Sequence, residues 1–216
     1  YRQGALPTDE AVATAMSRIE SESKRMGQLV EDLLTLARID ERRESKLAPF
    51  DLFNLAVDAS NDAYATAPDR AVSLVGLNEE VAPTSATVLG DESRLRQVVA
   101  NLLTNAMRYT PDGSPLEIAV GVREEVPGFP LSVLEVRDHG PGIHGEDRER
   151  VFERFYRTDA SRSRETGGTG LGLSIVAAII EQHEGRIHIE ETDGGGATFV
   201  ISLPFYPPPV SDDQLM

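Results

Sequence analysis

The 216-residue chain contains no cysteine and no tryptophan. The lack of cysteine excludes a disulfide framework, thiolate-bound zinc, iron–sulfur clusters and thiol catalysis. Positive charge is also scarce, since 21 Lys and Arg residues stand against 36 Asp and Glu residues and give a formal net charge of −15. A chain this acidic repels nucleic acid, so we expect no nucleic-acid partner. No apolar run approaches the ~20 residues of a membrane span, and no signal-peptide pattern opens the sequence.

The N-terminal part of the sequence has the pattern of one long helix. Residues 1–9 contain Gly4 and Pro7 and are predicted to form a loop. Apolar residues then recur in alternating steps of four and three, with one polar break. A helix with such a stripe is not stable alone in water, so we expect it to join a helical bundle or, alternatively, to pack on its own domain. The heptad positions are Val12, Met16, Ile19, Ser23, Met26, Val30, Leu33 and Ala37.

After a predicted linker at Leu47 to Phe50, helical and strand patterns are interleaved without regular alternation. This order predicts the α/β class, as a two-layer sandwich with a mixed or mostly antiparallel sheet. The predicted helices are Leu52 to Ala65, Glu92 to Tyr109 and Leu173 to Glu184. The predicted strands are Val72 to Val75, Leu116 to Val122, Leu131 to Arg137, Arg186 to Glu191 and Ala197 to Leu203.

Four segments carry residues that core packing does not explain. On the helix from Glu92 to Tyr109, Asn101, Asn105 and Arg108 lie along a polar stripe, where a carboxamide oxygen is a suitable ligand for Mg²⁺ when phosphates supply other oxygens. The Asp138-His-Gly-Pro-Gly-Ile143 segment follows a strand, and its glycines let the backbone approach a flat ligand. Taken alone, the stripe on the helix is more simply interpreted as a solvated face, and the segment after the strand as an ordinary turn.

Two further segments are rich in glycine. Residues 166–173 run into a helix, where backbone amides can bind an anion, although the spacing fits neither a Rossmann fingerprint nor a Walker A loop. Gly194 to Phe199 forms a tight turn between the last two predicted strands. Between the first glycine motif and residues 166–173, Phe152 to Arg157 lies in an arginine-rich stretch that is typical of a disordered loop or a functional lid.

Together and in this order, these segments resemble the catalytic ATP-binding domain of sensor histidine kinases. They resemble the family's N box, first glycine box, F box, second glycine box and third glycine-rich turn, in that order: Asn101 to Tyr109, Asp138 to Ile143, Phe152 to Tyr156, Gly168 to Leu173 and Gly194 to Phe199. The resemblance implies a Bergerat-type ATP-binding fold, with helices on one face of a mixed sheet, behind a coiled-coil-like helix.

The resemblance also implies how the chain divides. Residues 1–9 would be a hairpin loop, and residues 10–46 the second helix of the dimerisation and histidine-phosphotransfer hairpin. Residues 50–205 would be the catalytic domain, and residues 206–216, which include three consecutive prolines, a disordered tail.

The cofactors implied by the resemblance are ATP and Mg²⁺. Asp138 would accept a hydrogen bond from the adenine amine, Asn105 would ligate Mg²⁺, and Thr198 would line the adenine pocket. Asn101 and Arg108 would lie near the phosphates, Tyr109 beside the adenine, and Arg154 and Phe155 in the lid. The full set implied to bind ATP is Asn101, Asn105, Arg108, Tyr109, Asp138, Gly140, Gly142, Ile143, Arg154, Phe155, Gly168, Thr169, Gly170, Leu171, Gly172, Leu173 and Thr198.

One position and one absent motif bear on the reaction. Relatives that hydrolyse ATP, of the Hsp90, gyrase and MutL type, carry a Glu four residues before the Mg²⁺-binding Asn, where this chain has Asn101. A neutral carboxamide is not a general base, so phosphoryl transfer to a histidine is expected instead of hydrolysis. The family's phosphoacceptor motif, His followed by an acid and then Thr-Pro, is absent from the sequence. We therefore expect the first hairpin helix, with its histidine, to lie upstream and this chain not to phosphorylate itself.

The remaining implications concern partners and alternatives. The resemblance implies a response regulator receiver domain as partner, a homodimer through the hairpin, and a cytoplasmic location with any membrane anchor in upstream segments. Two other functions stay open: a related ATPase that drives a conformational clamp, and a non-catalytic nucleotide-binding scaffold.

Overall fold

The computed structural model describes residues 8–40, 46–78, 82–158 and 168–207. The elements run in the order α1 (Asp9–Asp40), β1 (Ala48–Asp51), α2 (Leu52–Thr66), β2 (Val72–Val75), β3 (Thr87–Gly90), α3 (Glu92–Tyr109), β4 (Leu116–Val126), β5 (Phe129–Asp138), α4 (Asp147–Arg150), α5 (Gly172–Gln182), β6 (Arg186–Glu191) and β7 (Ala197–Pro204). Most of the predicted N-terminal loop and C-terminal tail, and the predicted helical residues 41–45, lie outside the described residues.

Five strands form the main sheet, in the order β2-β4-β5-β7-β6. Strands β2 and β4 are parallel, and the other three pairs are antiparallel. Alternate residues of β4, β5 and β7 point to one face, where they form a single core with α2, α3 and α5. The predicted two-layer sandwich with a mixed sheet is therefore confirmed.

The predicted linker at Leu47 to Phe50 was wrong. Residues from Ala48 form β1, which pairs antiparallel with β3, an element that the sequence pattern did not predict. The Oδ1 atom of Asp51 accepts hydrogen bonds from the backbone N–H groups of Phe53 (2.9 Å) and Ala86 (2.8 Å). This carboxylate both caps α2 and joins it to the start of β3.

Helix α1 has two different stripes. The heptad stripe is exposed to solvent, as the 62% exposed Met16 and Met26 show. A second stripe, one residue away, packs on the α/β sandwich: Leu36 and Ile39 are buried in its core, and Leu29 packs against that core. The helix therefore packs on its own domain through the second stripe, and the exposed heptad stripe suits a helical bundle.

In the ranges that the structure describes, no helix is both long and apolar enough to cross a membrane.

Candidate nucleotide-binding site

The carboxylate of Asp138 lies at the end of β5 and is 7% exposed. Its Oδ1 atom accepts hydrogen bonds from the backbone N–H groups of Gly140 (2.9 Å) and Ala197 (3.2 Å). Both of these hydrogen bonds go to the same oxygen, so Oδ2 has no donor among the described residues and is available as an acceptor for a ligand. An acceptor fixed in this way by backbone groups suits an exocyclic amine.

Burial raises the pKa of Asp138 above its ordinary value of 3.8, while the hydrogen bonds from Gly140 and Ala197 and the neighbouring His139 act in the opposite direction. The net direction means that the charged form is disfavoured in the folded protein. A ligand that donates a hydrogen bond to Oδ2 would compensate for part of this desolvation.

Two glycine turns fit closely against Asp138. A Cβ atom at Gly196 would lie 1.9 Å from the carbonyl oxygen of Asp138, and Gly196 also has a φ of +127°. A Cβ atom at Gly142 would lie 3.0 Å from the carbonyl oxygen of Gly196. Because Gly196 has no side chain, the turn before β7 can approach the turn after β5 closely. The Ala197 N–H can then donate to the Asp138 carboxylate.

The polar face of α3 lies opposite the second glycine box. Asn101 and Asn105 are half-buried. The Nδ2 atom of Asn101 donates to the carbonyl oxygen of Gly172 (3.4 Å) at the start of α5. The guanidinium of Arg108 lies so close to Gly168 that a Cβ atom there would overlap with it. The structure thus brings together the predicted phosphate-side residues of α3 and of the loop from Gly168 to Gly172, which we call the phosphate loop.

The F box lies beside this loop. The backbone N–H of Phe155 donates to the carbonyl oxygen of Gly170 (3.0 Å). Both Arg154 and Phe155 are exposed, and Phe155 has a φ of +65°. The predicted neighbours in the lid are therefore close to one another, and their side chains face solvent.

Three of the predicted binding residues have apolar side chains that contribute to the core. Leu171 is fully buried, and Ile143 and Leu173 pack against the same core. Leu171 can therefore contact a nucleotide only through its backbone, whereas Ile143 and Leu173 are half-buried and keep part of their side chains accessible.

The structure does not bring the side chain of Thr198 to the face of the sheet that carries Asp138. In β7, Ala197 and Phe199 face the core on the side of Asp138, whereas Thr198 points to the opposite face of the sheet. There its hydroxyl bonds with the hydroxyl of Thr192 (2.9 Å). Ala197, and not Thr198, lies on the same face as Asp138 and donates its backbone N–H to that carboxylate.

One residue at the site was not predicted at all. Asp32 of α1 is 9% exposed, and its Oδ2 atom accepts a hydrogen bond from the hydroxyl of Thr169 (2.7 Å) in the phosphate loop. No sequence signal marks Asp32, because an acidic residue in an amphipathic helix usually indicates a solvated face.

His183, at the end of α5, has a structural role. Its Nε2 atom accepts a hydrogen bond from the backbone N–H of Asp91 (3.0 Å), so its Nδ1 atom carries the proton and donates to the carbonyl oxygen of Ile179 (2.7 Å). The ring joins the end of α5 to the start of α3, the two helices that carry the predicted phosphate-side residues.

Among the described residues, no group of three His, Cys, Asp or Glu side chains could hold a metal ion. A cation in this pocket would have to take its oxygen ligands from a carboxamide, from water and from phosphates. That donor set suits Mg²⁺, which keeps several waters and binds substrate phosphates, so the predicted ligand Asn105 fits a nucleotide-borne Mg²⁺.

The comparisons with known proteins agree with this geometry. The profile of the histidine kinase-, DNA gyrase B- and HSP90-like ATPases matches residues 90–207. The probable sensor histidine kinase TcrY of Mycobacterium tuberculosis is 44% identical over 195 residues, which is 90% of this chain and 39% of TcrY. The chain spans about two fifths to half the length of the curated relatives that it matches.

Solved structures give the same result. Full-length ShkA in complex with AMPPNP has a TM-score of 0.71 and 28% identity, over 93% of this chain and 40% of ShkA. The mycobacterial sensor histidine kinase MprB has a TM-score of 0.60 and 26% identity, over 75% of this chain and 99% of that structure. With its glycine boxes, its buried Asp138 and these relatives, the chain belongs to the family of histidine kinase-, DNA gyrase B- and HSP90-like ATPases, and within it to the ATP-binding catalytic domains of sensor histidine kinases.

Proposed function

We propose that the chain is the kinase core of a two-component sensor. It binds Mg·ATP and transfers the γ-phosphoryl group to a histidine on a hairpin helix outside this sequence, for relay to an aspartate of a response regulator receiver domain. The observation that carries this proposal is the identity and position of Asn101, whose carboxamide donates to the Gly172 carbonyl beside the phosphate loop. A carboxamide there can position a phosphate but cannot activate water as a general base.

The pocket has a base end and a phosphate end. At the base end, Oδ2 of Asp138 accepts the adenine amine, and Tyr109 lies beside the ring. At the phosphate end, Asn105 ligates Mg²⁺, while Arg108 and the backbone N–H groups of the phosphate loop bind phosphate oxygens. When bound, Mg²⁺ supplies positive charge next to the phosphates of ATP, and the protein contributes positioning and further charge stabilisation.

The exposed heptad stripe of α1 supports a homodimer through the helical hairpin. We place the catalytic domain on the cytoplasmic side of the membrane, with any anchor in segments outside this sequence.

Calorimetric titration tests the nucleotide site. Mg·ATP and Mg·ADP are titrated into the chain and into the Asp138→Ala variant, with circular dichroism to verify folding. We expect binding to the parent chain and its loss in the variant, because the variant lacks the acceptor for the adenine amine. Equal binding to both proteins would exclude Asp138 from the site.

Phosphotransfer separates the kinase from the two other functions. The chain is incubated with γ-labelled ATP, alone and with a supplied histidine-bearing hairpin of a related kinase. We expect label on the hairpin only. Steady-state release of phosphate without a hairpin would favour the ATPase clamp, whereas binding without transfer to any hairpin would favour the scaffold.

A further inference from the structure

Asp32 is the residue of α1 that makes a side-chain hydrogen bond to the phosphate loop. Both of its carboxylate oxygens are used: Oδ1 accepts from the side-chain amide of Gln28 (2.9 Å), and Oδ2 accepts from the hydroxyl of Thr169 (2.7 Å). The same hydroxyl accepts a hydrogen bond from the backbone N–H of Leu171 (3.3 Å). Thr169 therefore joins α1 to the backbone of the loop just before α5.

The surrounding packing makes this contact a fixed point. Leu36 and Ile39 anchor the same stripe of α1 in the core, one and two turns after Asp32. The carbonyl oxygen of Ile39 accepts a further hydrogen bond from the side chain of Gln182 (2.6 Å) at the end of α5. Helix α1 thus holds α5 at both of its ends, by Asp32 through Thr169 at the start and by Ile39 at the finish.

The phosphate loop needs such a fixed point. Three of its five residues are glycines, and Gly170 has a φ of +76°. Glycine gives a loop the largest conformational entropy, so a loop of this composition loses much freedom when it closes on phosphates. A side-chain hydrogen bond that already orders the loop reduces that loss before the ligand arrives.

We propose that Asp32 is a positioning residue for phosphate binding, which acts through the hydroxyl of Thr169 and couples the position of α1 to the affinity of the site for nucleotide phosphates. This inference rests on the proposed nucleotide site. It assigns to α1, whose expected role is dimerisation, a second role at the pocket of its own chain.

Two effects of Asp32 oppose each other. Its negative charge repels the phosphates, whereas its hydrogen bond orders the loop that binds them. A hydrogen bond from a hydroxyl to a carboxylate that is 9% exposed is a strong one, whereas the repulsion acts over a longer distance and weakens with that distance. We therefore expect the ordering effect to be the larger.

The test compares ligands that differ only in phosphates. Adenosine, Mg·ADP and Mg·ATP are titrated calorimetrically into the full chain and into Asp32→Ala. We expect about tenfold weaker binding of Mg·ADP and Mg·ATP to the variant, in line with the strength of one charge-assisted hydrogen bond. Adenosine should bind both proteins equally, which a general loss of structure would not allow.

Matched variants separate the hydrogen bond from the charge. Asp32→Asn keeps an acceptor oxygen for Thr169, while Gln28 can turn its amide to present its own oxygen, so we expect affinity for Mg·ADP within about twofold of the parent or tighter. Glu31→Ala removes the same charge from the exposed neighbouring position of α1 and should leave affinity unchanged. The double variant Asp32→Ala with Thr169→Val should bind Mg·ADP no more weakly than the weaker of the two single variants, because the residues act through one another.

Equal or tighter binding of Mg·ADP by Asp32→Ala would overturn the proposal, as would an equal loss of adenosine binding. Weak binding by both Asp32→Asn and Asp32→Ala would also overturn it, because the acceptor oxygen would then have no special role. A failure of the proposed nucleotide site would look different from a failure of the Asp32 proposal. In that case the parent chain itself would bind no nucleotide, or would bind it independently of Asp138.

Discussion

At the base end of the proposed pocket, Asp138 is held by backbone groups, whereas at the phosphate end the loop from Gly168 to Gly172 is held by side chains from two helices as well as by one backbone hydrogen bond from Phe155. The base end has two backbone N–H bonds to one carboxylate oxygen and a glycine contact that admits no Cβ atom. The phosphate end depends on Asn101 and Asp32, which belong to two different helices. The base end is therefore fixed by backbone hydrogen bonds at the edge of the main sheet. The phosphate end can respond to movement of α1 or α3, because side chains of these helices contact it.

The largest effect that would test this contrast is expected at Gly196. Gly196→Ala would place a Cβ atom 1.9 Å from the Asp138 carbonyl oxygen at a φ of +127°, so we expect a loss of about 4 kcal/mol in unfolding free energy. Urea denaturation measures it. The control is Gly194→Ala in the same turn, where φ is +83° and nothing lies within 4 Å, and where a loss of only about 1 kcal/mol is expected. Equal losses would mean that the base end is less closely packed than the structure indicates.

Asp138→Asn should separate stability from function at the base end. The Asn oxygen can still accept both backbone N–H bonds, but its amide nitrogen replaces the acceptor Oδ2, so we expect about a hundredfold weaker binding of Mg·ATP. Calorimetry measures this loss.

The same variant makes a prediction about pH. Because the pKa of Asp138 is raised on folding, the parent's stability contribution from this group is present below pH 3.8 and is lost as pH rises through the folded-state pKa. Asp138→Asn should therefore be more stable than the parent at pH 7, and this advantage should shrink toward pH 4. Urea midpoints at the two pH values measure it. A variant less stable than the parent at pH 7 would contradict the assigned effect of burial.

At the phosphate end, Asn105→Ala should weaken Mg·ATP binding about tenfold while leaving adenosine binding unchanged, because it removes one oxygen ligand from Mg²⁺. The Mg²⁺ dependence of ATP affinity, measured by calorimetry, should also decrease. Thr104→Ala, at the exposed preceding position, is the control. If the two variants behave alike, Asn105 is not a ligand.

The smallest effect is expected at the far end of α5. Glu184 has a φ of +57°, and the Gly185 N–H donates to the carbonyl oxygen of Ile180 (3.0 Å), as in a Schellman cap. Glu184→Gly should stabilise the protein by about 1 kcal/mol relative to Glu184→Ala, which loses the same charge but keeps the strain. Thermal unfolding measures the difference. Nucleotide affinity should not change; a change would show that the stability of α5, and not its side-chain contacts, controls the phosphate loop.

The sequence predicted the four longer helices, the five strands of the main sheet and the glycine boxes, because most of them have a periodic pattern, an apolar run or a distinctive motif. It did not predict the single-turn helix α4. It did not predict β1 and β3. Neither of these four-residue segments shows a period, and β1 also contains Pro49. The motif marks the turn but not the strand alternation, so it did not show that Thr198 lies on the face opposite Asp138, since a shift of one residue reverses the face. Asp32 was missed because its partner, Thr169, is 137 positions away in the chain.

The two stripes of α1 have a mechanical consequence. They are one residue apart, which is about 100° around the helix, so a bundle on one stripe and the catalytic domain on the other can be held at the same time. A rotation of about 20° about the helix axis would move a side-chain tip at ~6 Å from that axis by about 2 Å. Such a movement, when directed away from Thr169, would extend the 2.7 Å contact between Asp32 and Thr169 beyond hydrogen-bonding distance. If neighbouring helices rotate α1 about its ~48 Å long axis, we expect the phosphate loop to lose this one hydrogen bond.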